Sequence, residues 1–134
     1  MILVSACLAG VNCNYRGRNS GDAGVAELVE KGLAVMVCPE QLGGLTTPRP
    51  PAEVKNGRVF TKDGGDVTEA FLRGAREVLN IAKKYHCQKA ILKSRSPSCG
   101  CGKIRDGNFS GTLTDGDGIT AALLKENGIE VSVL

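Results

Sequence analysis

The stretch Asp22-Ala-Gly-Val-Ala-Glu-Leu-Val-Glu-Lys-Gly-Leu-Ala-Val-Met-Val-Cys38 contains the two patterns that recur along the chain. Its first part has apolar residues at helical spacing, which predicts a helix over residues 22–31 that ends at Gly32. Its second part, residues 33–37, is a short aliphatic run that is typical of a buried strand. A helix therefore leads directly into a strand that ends at a cysteine.

The same alternation of patterns extends to both ends of the chain. Strand-like aliphatic runs lie at residues 2–6, 90–92 and 129–133, and helix-like amphipathic segments lie at residues 66–85 and 118–127. Asp66 or Thr68 is placed to cap the longer helix. Alternating strands and helices favour a parallel sheet covered by helices, and right-handed crossovers favour a Rossmann-like topology. We therefore expect an α/β fold, a Rossmann-like three-layer sandwich with a small, mostly parallel sheet.

Two long segments have the composition of ordered loops. Residues 41–65 are rich in glycine and proline and have room for a small hairpin at residues 53–61, and residues 94–118 are similarly loop-like. No repeat, low-complexity tract or linker divides the chain. We expect residues 1–134 to form a single domain, because this length is usual for one hydrophobic core.

Composition and charge narrow the class of protein. The net charge of +3 suits an anionic small molecule but is too weak to indicate a nucleic-acid polymer. We see no signal peptide and no long apolar run in the sequence, so we expect a cytoplasmic protein that does not bind a membrane. We also expect a monomer or homodimer. Disulfides are rare in the cytoplasm, so the six cysteines require another explanation.

Three of the cysteines follow predicted strands. Cys7 follows the first strand, Cys38 follows the second directly, and Cys99 lies in the loop after the third. Ligands of open parallel sheets bind outside the carboxyl ends of the strands, so we expect these thiols to meet in one crevice. Thiolates without a nearby histidine favour an iron–sulfur cluster or zinc. Neither the Cys99-Gly-Cys101 pair nor the spacing of Cys7 and Cys13 resembles a usual zinc knuckle.

The role of Cys13 separates two classes of function. Cys13 is close enough to Cys7 in the sequence to be a fourth ligand, or a thiol that supports the site without binding metal. Three cysteines leave one iron of a cluster open as a Lewis acid that can bind a substrate sulfur atom. A cluster held by four cysteines instead suits electron transfer. We favour the supporting role.

Polar residues in the same loops are candidates for binding and catalysis. Arg49 and Lys93 can hold a nucleotide phosphate or can be ordinary solvated charges. Tyr15 can stack on a pyrimidine ring or can pack within its own loop. Glu40 is either a general base or a cap of the segment that follows the second strand. The residues alone leave each of these pairs open.

At these motifs the sequence resembles the family of thiouracil and thiouridine desulfidases, formerly a domain family of unknown function. The resemblance includes Val4-Ser-Ala-Cys-Leu-Ala-Gly10 and Leu92-Lys-Ser-Arg-Ser-Pro-Ser-Cys-Gly100. Further matching stretches lie at residues 11–17, 38–53, 65–75 and 107–111. They follow the order of the family and run through nearly the whole chain.

The resemblance implies both a cofactor and a reaction. Cys7, Cys38 and Cys99 match the family's ligands of a 4Fe-4S cluster, one iron of which has no protein ligand. The implied reaction is non-redox hydrolysis that removes sulfur, as sulfide, from a thiolated uracil base or nucleotide, such as 2-thiouracil or 4-thiouridine monophosphate. Glu40 matches a catalytic glutamate of the family. Ser96 or Ser98 matches a catalytic serine.

Two alternatives come from other classes of protein. One is a non-catalytic module that holds an iron–sulfur cluster or sulfide, and the other is a zinc or thiol-redox protein. The chain also departs from the family in places, since Thr46 stands where proline is common and Arg105 where tyrosine is frequent. These departures affect the expected substrate more than the expected cluster.

Overall fold

A computed structural model describes all of Met1–Leu134. In chain order the elements are β1 (Ile2–Ser5), α1 (Ala23–Glu30), β2 (Ala34–Val37), α2 (Pro39–Leu42), β3 (Ala52–Lys55), β4 (Arg58–Thr61), α3 (Thr68–Lys84), β5 (Lys89–Leu92), β6 (Lys103–Arg105), β7 (Leu113–Asp115), α4 (Ile119–Glu126) and β8 (Glu130–Val133). A 3₁₀ turn, Ala6–Ala9, follows β1 directly. None of the helices combines the length and the apolar character that crossing a membrane would need.

The central sheet has four parallel strands in the order β2-β1-β5-β8. One face is covered by α1, through a buried cluster of Val4, Leu8, Val25 and Ala34. The opposite face is covered by α3 and α4, through a larger buried cluster that includes Leu3, Leu92, Val78, Ala82, Ala121 and Leu124. The aliphatic strands are buried because helices cover both faces. This arrangement confirms the expected three-layer α/β sandwich.

The ends of the helices follow local signals in the sequence. The Asp22 carboxylate accepts a hydrogen bond from the Val25 amide at 3.0 Å, and α1 begins directly after Asp22. Gly32, with a φ of +71°, lies just beyond the end of this helix. The long helix begins two residues later than predicted, because Asp66 lies outside it and accepts a hydrogen bond from the Thr68 amide at 2.9 Å.

Two predicted loops contain regular structure. Residues 39–42 form the short helix α2, with Pro39 at its first position and Cys38 in an extended conformation before it. Residues 94–118 contain the antiparallel hairpin β6–β7, whose strands have three residues each and are too short for a clear periodic pattern. The prediction of a hairpin at residues 53–61 is confirmed by β3 and β4.

The edge strands are less buried than predicted. Met36 on β2 is 43% exposed, and β8 alternates between exposed and half-buried residues. Both strands lie at the ends of the strand order, where neighbouring strands and helices cover fewer sides. The continuous aliphatic sequence of these two strands therefore predicted more burial than the structure shows.

Two glycines allow α2 to pack closely against α3. A Cβ atom on Gly74 would lie 1.9 Å from the Pro39 carbonyl oxygen, and one on Gly43 would lie 2.0 Å from the Ala70 carbonyl oxygen. Only glycine allows backbones to approach this closely. The contact fixes the position of α2, which carries Glu40 just beyond the carboxyl end of β2.

Candidate functional site

A cavity of about 410 Å³ opens where β1, β2 and β5 end. These strands are neighbours in the sheet, and the chain runs from β1 to β2 on one side and on to β5 on the other. Such a reversal of strand order is a common ligand site in α/β proteins. All the residues predicted from the sequence to form the site line this cavity: Cys7, Cys38, Cys99, Glu40, Ser96, Ser98, Arg49, Tyr15 and Lys93.

The three predicted ligand cysteines are free thiols in different surroundings. Cys7 and Cys38 are half-buried, whereas Cys99 is buried. A hydrogen bond from the Cys13 thiol lowers the pKa of Cys38 to about 6, and the Arg49 cation acts in the same direction. A hydrogen bond from Cys13 also lowers the pKa of Cys7. Lowered pKa values favour the thiolate, which is the form that binds metal.

Cys99 is held by a hydroxyl group. Burial raises the pKa of its thiol to about 12, while a hydrogen bond from Ser5 opposes this effect. Ser5 Oγ donates to Cys99 Sγ at 3.3 Å and accepts from the Lys93 amide at 2.9 Å. Ser5 is not among the site residues predicted from the sequence. Its one signal is a hydroxyl group in an aliphatic run, two residues before Cys7.

Cys13 lies within the same group of thiols. It is buried and lines the cavity. Hydrogen bonds to the thiols of Cys38 and then Cys7 raise its pKa, so Cys13 remains a protonated donor. Its carbonyl oxygen accepts from Arg49 Nη2 at 2.8 Å and lies 3.7 Å from Cys38 Sγ. This position suits a thiol that supports its neighbours.

The donor set fits an iron–sulfur cluster. No three or more His, Cys, Asp or Glu side chains are arranged to bind a single metal ion. The only histidine, His86, is exposed beyond α3 and lies outside the cavity. A cluster takes thiolates one per iron, so its ligands stand farther apart than those of one ion. Three thiols that line one roomy cavity are a suitable donor set for a cluster, whereas a zinc knuckle needs a compact set.

Glu40 is hydrogen-bonded through both carboxylate oxygens. Its Oε1 accepts from Arg49 Nε at 3.0 Å, and its Oε2 accepts from Ser98 Oγ at 2.9 Å. The side chains of Arg49 and Glu40 are only 5% and 15% exposed, so this ion pair is largely shielded from solvent. The other Arg49 donors bind oxygen atoms of Thr46, Thr47 and Cys13. Four of the five guanidinium N–H groups are thereby engaged.

Ser96 and Ser98 form a directed chain of hydroxyl groups. Ser96 Oγ accepts from the amides of Ser98 at 3.1 Å and Cys99 at 3.0 Å. Because these bonds occupy its acceptor positions, the Ser96 hydroxyl donates to Ser98 Oγ, which is 3.0 Å away. Ser98 in turn donates to Glu40, so Ser98 rather than Ser96 contacts the carboxylate directly.

Tyr15 and Lys93 form other parts of the cavity wall. The Arg16 guanidinium lies 5.3 Å from the centre of the Tyr15 ring, and the Tyr15 carbonyl oxygen accepts from the Arg49 amide at 2.9 Å. Lys93 is half-buried. Three further charged residues also line the cavity: Glu53, Arg95 and Arg105.

The fold and the cavity define an α/β sandwich with a candidate iron–sulfur site at the carboxyl ends of its parallel strands. The sequence matches the family described as 2-thiouracil desulfurase over residues 2–133. The protein belongs to this family, which confirms the resemblance seen in the sequence motifs.

Two relatives are similar over nearly their whole length. The chain is 45% identical over 141 residues to the uncharacterized protein YbbK of Bacillus subtilis (strain 168), and the alignment covers 98% of this chain and 93% of YbbK. It is also similar to a solved structure of TudS, a [4Fe-4S]-dependent thiouracil desulfidase, with a TM-score of 0.95 and 44% identity. That match covers 98% of this chain and 89% of the TudS chain.

Proposed function

We propose that this protein is a [4Fe-4S]-dependent thiouracil desulfidase. The observation that carries the proposal is one cavity that combines three cysteines with the Glu40–Ser98 pair, in a member of the 2-thiouracil desulfurase family. The similar TudS structure is itself a [4Fe-4S]-dependent thiouracil desulfidase. The reaction would be hydrolysis of a thiolated uracil to the corresponding uracil, with release of sulfide.

Cys7, Cys38 and Cys99 would hold the cluster, one thiolate each. When bound, the cluster supplies a Lewis-acidic iron with room for the sulfur atom of the substrate. The lowered pKa values of Cys7 and Cys38 keep these thiols ready to ligate. Cys13 would remain protonated and donate to them.

Glu40 would act as the general base. It takes a proton from water, whose oxygen forms a bond to the ring carbon that carries sulfur. The carbon–sulfur bond then breaks, sulfur leaves with that proton as hydrosulfide, and the hydroxyl proton on the ring carbon is released to solvent as the carbonyl forms. Water is the only co-reactant, so no oxidant or reductant is consumed. A base in this role typically contributes about 10²–10⁴-fold to the rate.

The neighbours of Glu40 would orient it and return protons. Arg49 and Ser98 occupy one carboxylate oxygen each and prevent the carboxylate from turning. The hydroxyl chain from Ser96 through Ser98 gives protons a route between Glu40 and the leaving group. Arg49 retains one N–H group that can also reach the substrate.

The substrate would be a small thiolated pyrimidine, either the free base or its nucleotide. A volume of about 410 Å³ lies within the range of about 300–1,000 Å³ for small-molecule sites. Tyr15 would contact the ring, and Lys93 would bind an anionic group. None of Lys93, Arg95 and Arg105 forms an ion pair, so all three are available to a phosphate.

The wider setting follows from the same proposal. We take residues 1–134 as a single catalytic domain that works in the cytoplasm as a monomer or homodimer. The cavity is built from one chain, so one copy is sufficient for the chemistry. Thiolated pyrimidine and sulfide are then the only partners that the reaction needs.

The test is sulfide release by protein reconstituted with iron and sulfide under anaerobic conditions. The wild type should release sulfide from 2-thiouracil or 4-thiouridine monophosphate. Glu40→Gln should keep its iron and its visible absorbance but lose about 10²–10⁴-fold in turnover. Glu27→Gln, which alters an exposed glutamate on α1, is the matched control. A cluster-loaded wild type that releases no sulfide would instead be a binding module, and the proposal would be wrong.

A further inference from the structure

Glu53 is a second buried carboxylate in the cavity. It lies on β3, is 6% exposed and lines the same cavity as Glu40. Unlike Glu40, it forms no ion pair with lysine or arginine. A buried carboxylate without a countercharge is costly unless its oxygens accept hydrogen bonds. The hydrogen bonds that Glu53 accepts therefore show which of its two oxygens the protein already satisfies.

Both hydrogen bonds to Glu53 reach the same oxygen. The amides of Gly107 and Phe109 donate to Oε1 at 3.0 Å and 3.1 Å. The turn that provides them is strained, since Phe109 has a φ of +54°. Gly107 has a φ of +91°, and a Cβ there would lie 2.7 Å from the Val54 carbonyl oxygen. Strained turns of this kind persist where the surrounding structure requires them.

The second oxygen, Oε2, accepts from no protein group. Among the side-chain nitrogen and oxygen atoms that are sealed from solvent, only Thr120 Oγ1 lacks a hydrogen-bond partner. Oε2 of Glu53 also has no partner but is not sealed from solvent, and Glu53 lines the cavity. A fixed carboxylate oxygen that faces a ligand cavity is a hydrogen-bond acceptor for the ligand.

A thiolated uracil has a donor that suits this oxygen. The ring N3–H lies between the two carbons that can carry sulfur, and both the free base and the nucleotide retain it. Glu40 has a different task in the proposed reaction: its oxygens already accept from Arg49 and Ser98, and its remaining acceptor capacity is needed for the attacking water. A hydrogen bond to an ionised acceptor is about twice as strong as one between neutral groups.

We propose that Glu53 Oε2 accepts a hydrogen bond from the ring N3–H of the substrate and so positions the pyrimidine in the cavity. This inference rests on the proposed desulfidase function and adds the residue that recognises the ring. Glu53 binds and orients the ring, and Glu40 performs the proton transfer. Substrates that lack N3–H, such as N3-methylated rings, should be rejected.

Glu53→Gln separates ring recognition from support of the turn. The amide oxygen of glutamine still accepts from Gly107 and Phe109, whereas its NH₂ group replaces Oε2 and places a donor against N3–H. We expect the affinity for 2-thiouracil to fall roughly 10–100-fold, as for loss of a hydrogen bond to a charged group. Iron content and thermal stability should stay close to those of the wild type.

The measurement is binding of 2-thiouracil and of its N3-methyl derivative to the cluster-loaded protein, read by rapid mixing before turnover. The wild type should prefer 2-thiouracil, and Glu53→Gln should lose that preference. Lys55→Met is the matched control, because Lys55 Nζ tethers the same turn through Asn108 Oδ1 at 2.8 Å without contacting Oε2. This variant should keep the preference.

The outcomes distinguish the two proposals. A preference for 2-thiouracil that survives in Glu53→Gln would overturn the role of Glu53, since a residue that only supports the turn would weaken both ligands equally. Binding with the expected preference but without sulfide release would overturn the desulfidase function alone. No binding of 2-thiouracil to the wild type would overturn both.

Discussion

The Ser98 hydroxyl group, together with Arg49, orients the Glu40 carboxylate. Ser98 Oγ donates to Glu40 Oε2, and Ser98→Ala would leave that oxygen without its protein donor. We expect kcat for desulfuration to fall roughly 10–100-fold, because a hydrogen bond to a charged group is lost. Iron content should not change, and steady-state sulfide release is the measurement. Ser110→Ala, at an exposed serine outside the cavity, is the control, and an unchanged kcat in Ser98→Ala would exclude the role of Ser98.

Cys13 and Cys7 form a matched pair for testing which thiols ligate iron. We expect Cys13→Ala to bind nearly as much iron and sulfide as the wild type after anaerobic reconstitution, because Cys13 is a protonated donor. Cys7→Ala should lose most of its cluster. In Cys13→Ala the pKa of Cys38 should also rise, since its largest stabilising hydrogen bond is gone. Equal loss of iron in the two variants would make Cys13 a ligand.

Site residues could be predicted where the fold itself brings them together. Cys7, Cys38 and Cys99 follow parallel strands, so strand order alone predicts that they meet. Ser5 could not be predicted, because one hydroxyl group in an aliphatic strand is also usual in a core. Glu53 could not be predicted either, because a turn more than fifty residues away holds its carboxylate over the cavity. Such contacts depend on tertiary packing that has no local pattern.

The contact between α2 and α3 links stability to the position of Glu40, the proposed catalytic base. A Cβ on Gly74 would overlap the Pro39 carbonyl oxygen, which cannot move as a side chain could. We expect Gly74→Ala to lose about 1–3 kcal/mol in free energy of unfolding, as overpacked sites do, and to lower kcat because α2 carries Glu40. Chemical denaturation and sulfide release measure the two effects. Asn80→Ala, at an exposed position of the same helix, should change neither, and a Gly74→Ala protein with wild-type stability would refute the contact.

The start of α3 has a pH-dependent contribution to stability. Hydrogen bonds from Thr68, first from its side chain and then from its amide, together with Arg58, lower the pKa of Asp66 to about 2. A lowered pKa in the folded state stabilises the protein above the unfolded value of about 3.9, and this stabilisation is lost as the pH falls toward about 2. The melting temperature of Asp66→Asn in the cluster-free protein should therefore be lower than that of the wild type at pH 6. The difference should vanish near pH 2, and a difference that does not vary with pH would contradict the assignment.

Elements with their own periodicity were predictable, whereas those that depend on neighbours were not. The helix α3 was expected from its amphipathic pattern and was misplaced only at its ends. The helix α2 has four residues, which is too short to form from intrinsic propensity, and its close contact with α3 holds it in place. Glu40 is therefore presented by an element that no local sequence pattern indicates.

At the scale of the whole molecule, the candidate cluster site joins three separate parts of the chain. Its cysteines follow β1, β2 and β5, and the Ser5–Cys99 hydrogen bond alone spans a sequence separation of 94 residues. These strands are neighbours in the sheet but distant along the sequence. A cluster bound by these three cysteines would therefore cross-link the same edge of the sheet that the fold brings together. Cofactor binding and folding should reinforce each other, because a ligand bound only by the folded state stabilises that state.

Removal of the cluster should accordingly lower the melting temperature. A ligand present at 100 times its dissociation constant contributes about 2.7 kcal/mol, which corresponds to roughly 5–10 °C for a domain of this size. Cys7→Ala should melt at one temperature whether or not it has been treated with iron and sulfide. Cys87→Ala, at a buried cysteine outside the cavity, should destabilise both forms equally and keep the difference between them. Anaerobic thermal unfolding of cluster-loaded and cluster-free protein measures the difference. A wild type whose two forms melt together would show that the three cysteines do not act as one site, because a cluster held by all three cannot leave the folded state unaffected.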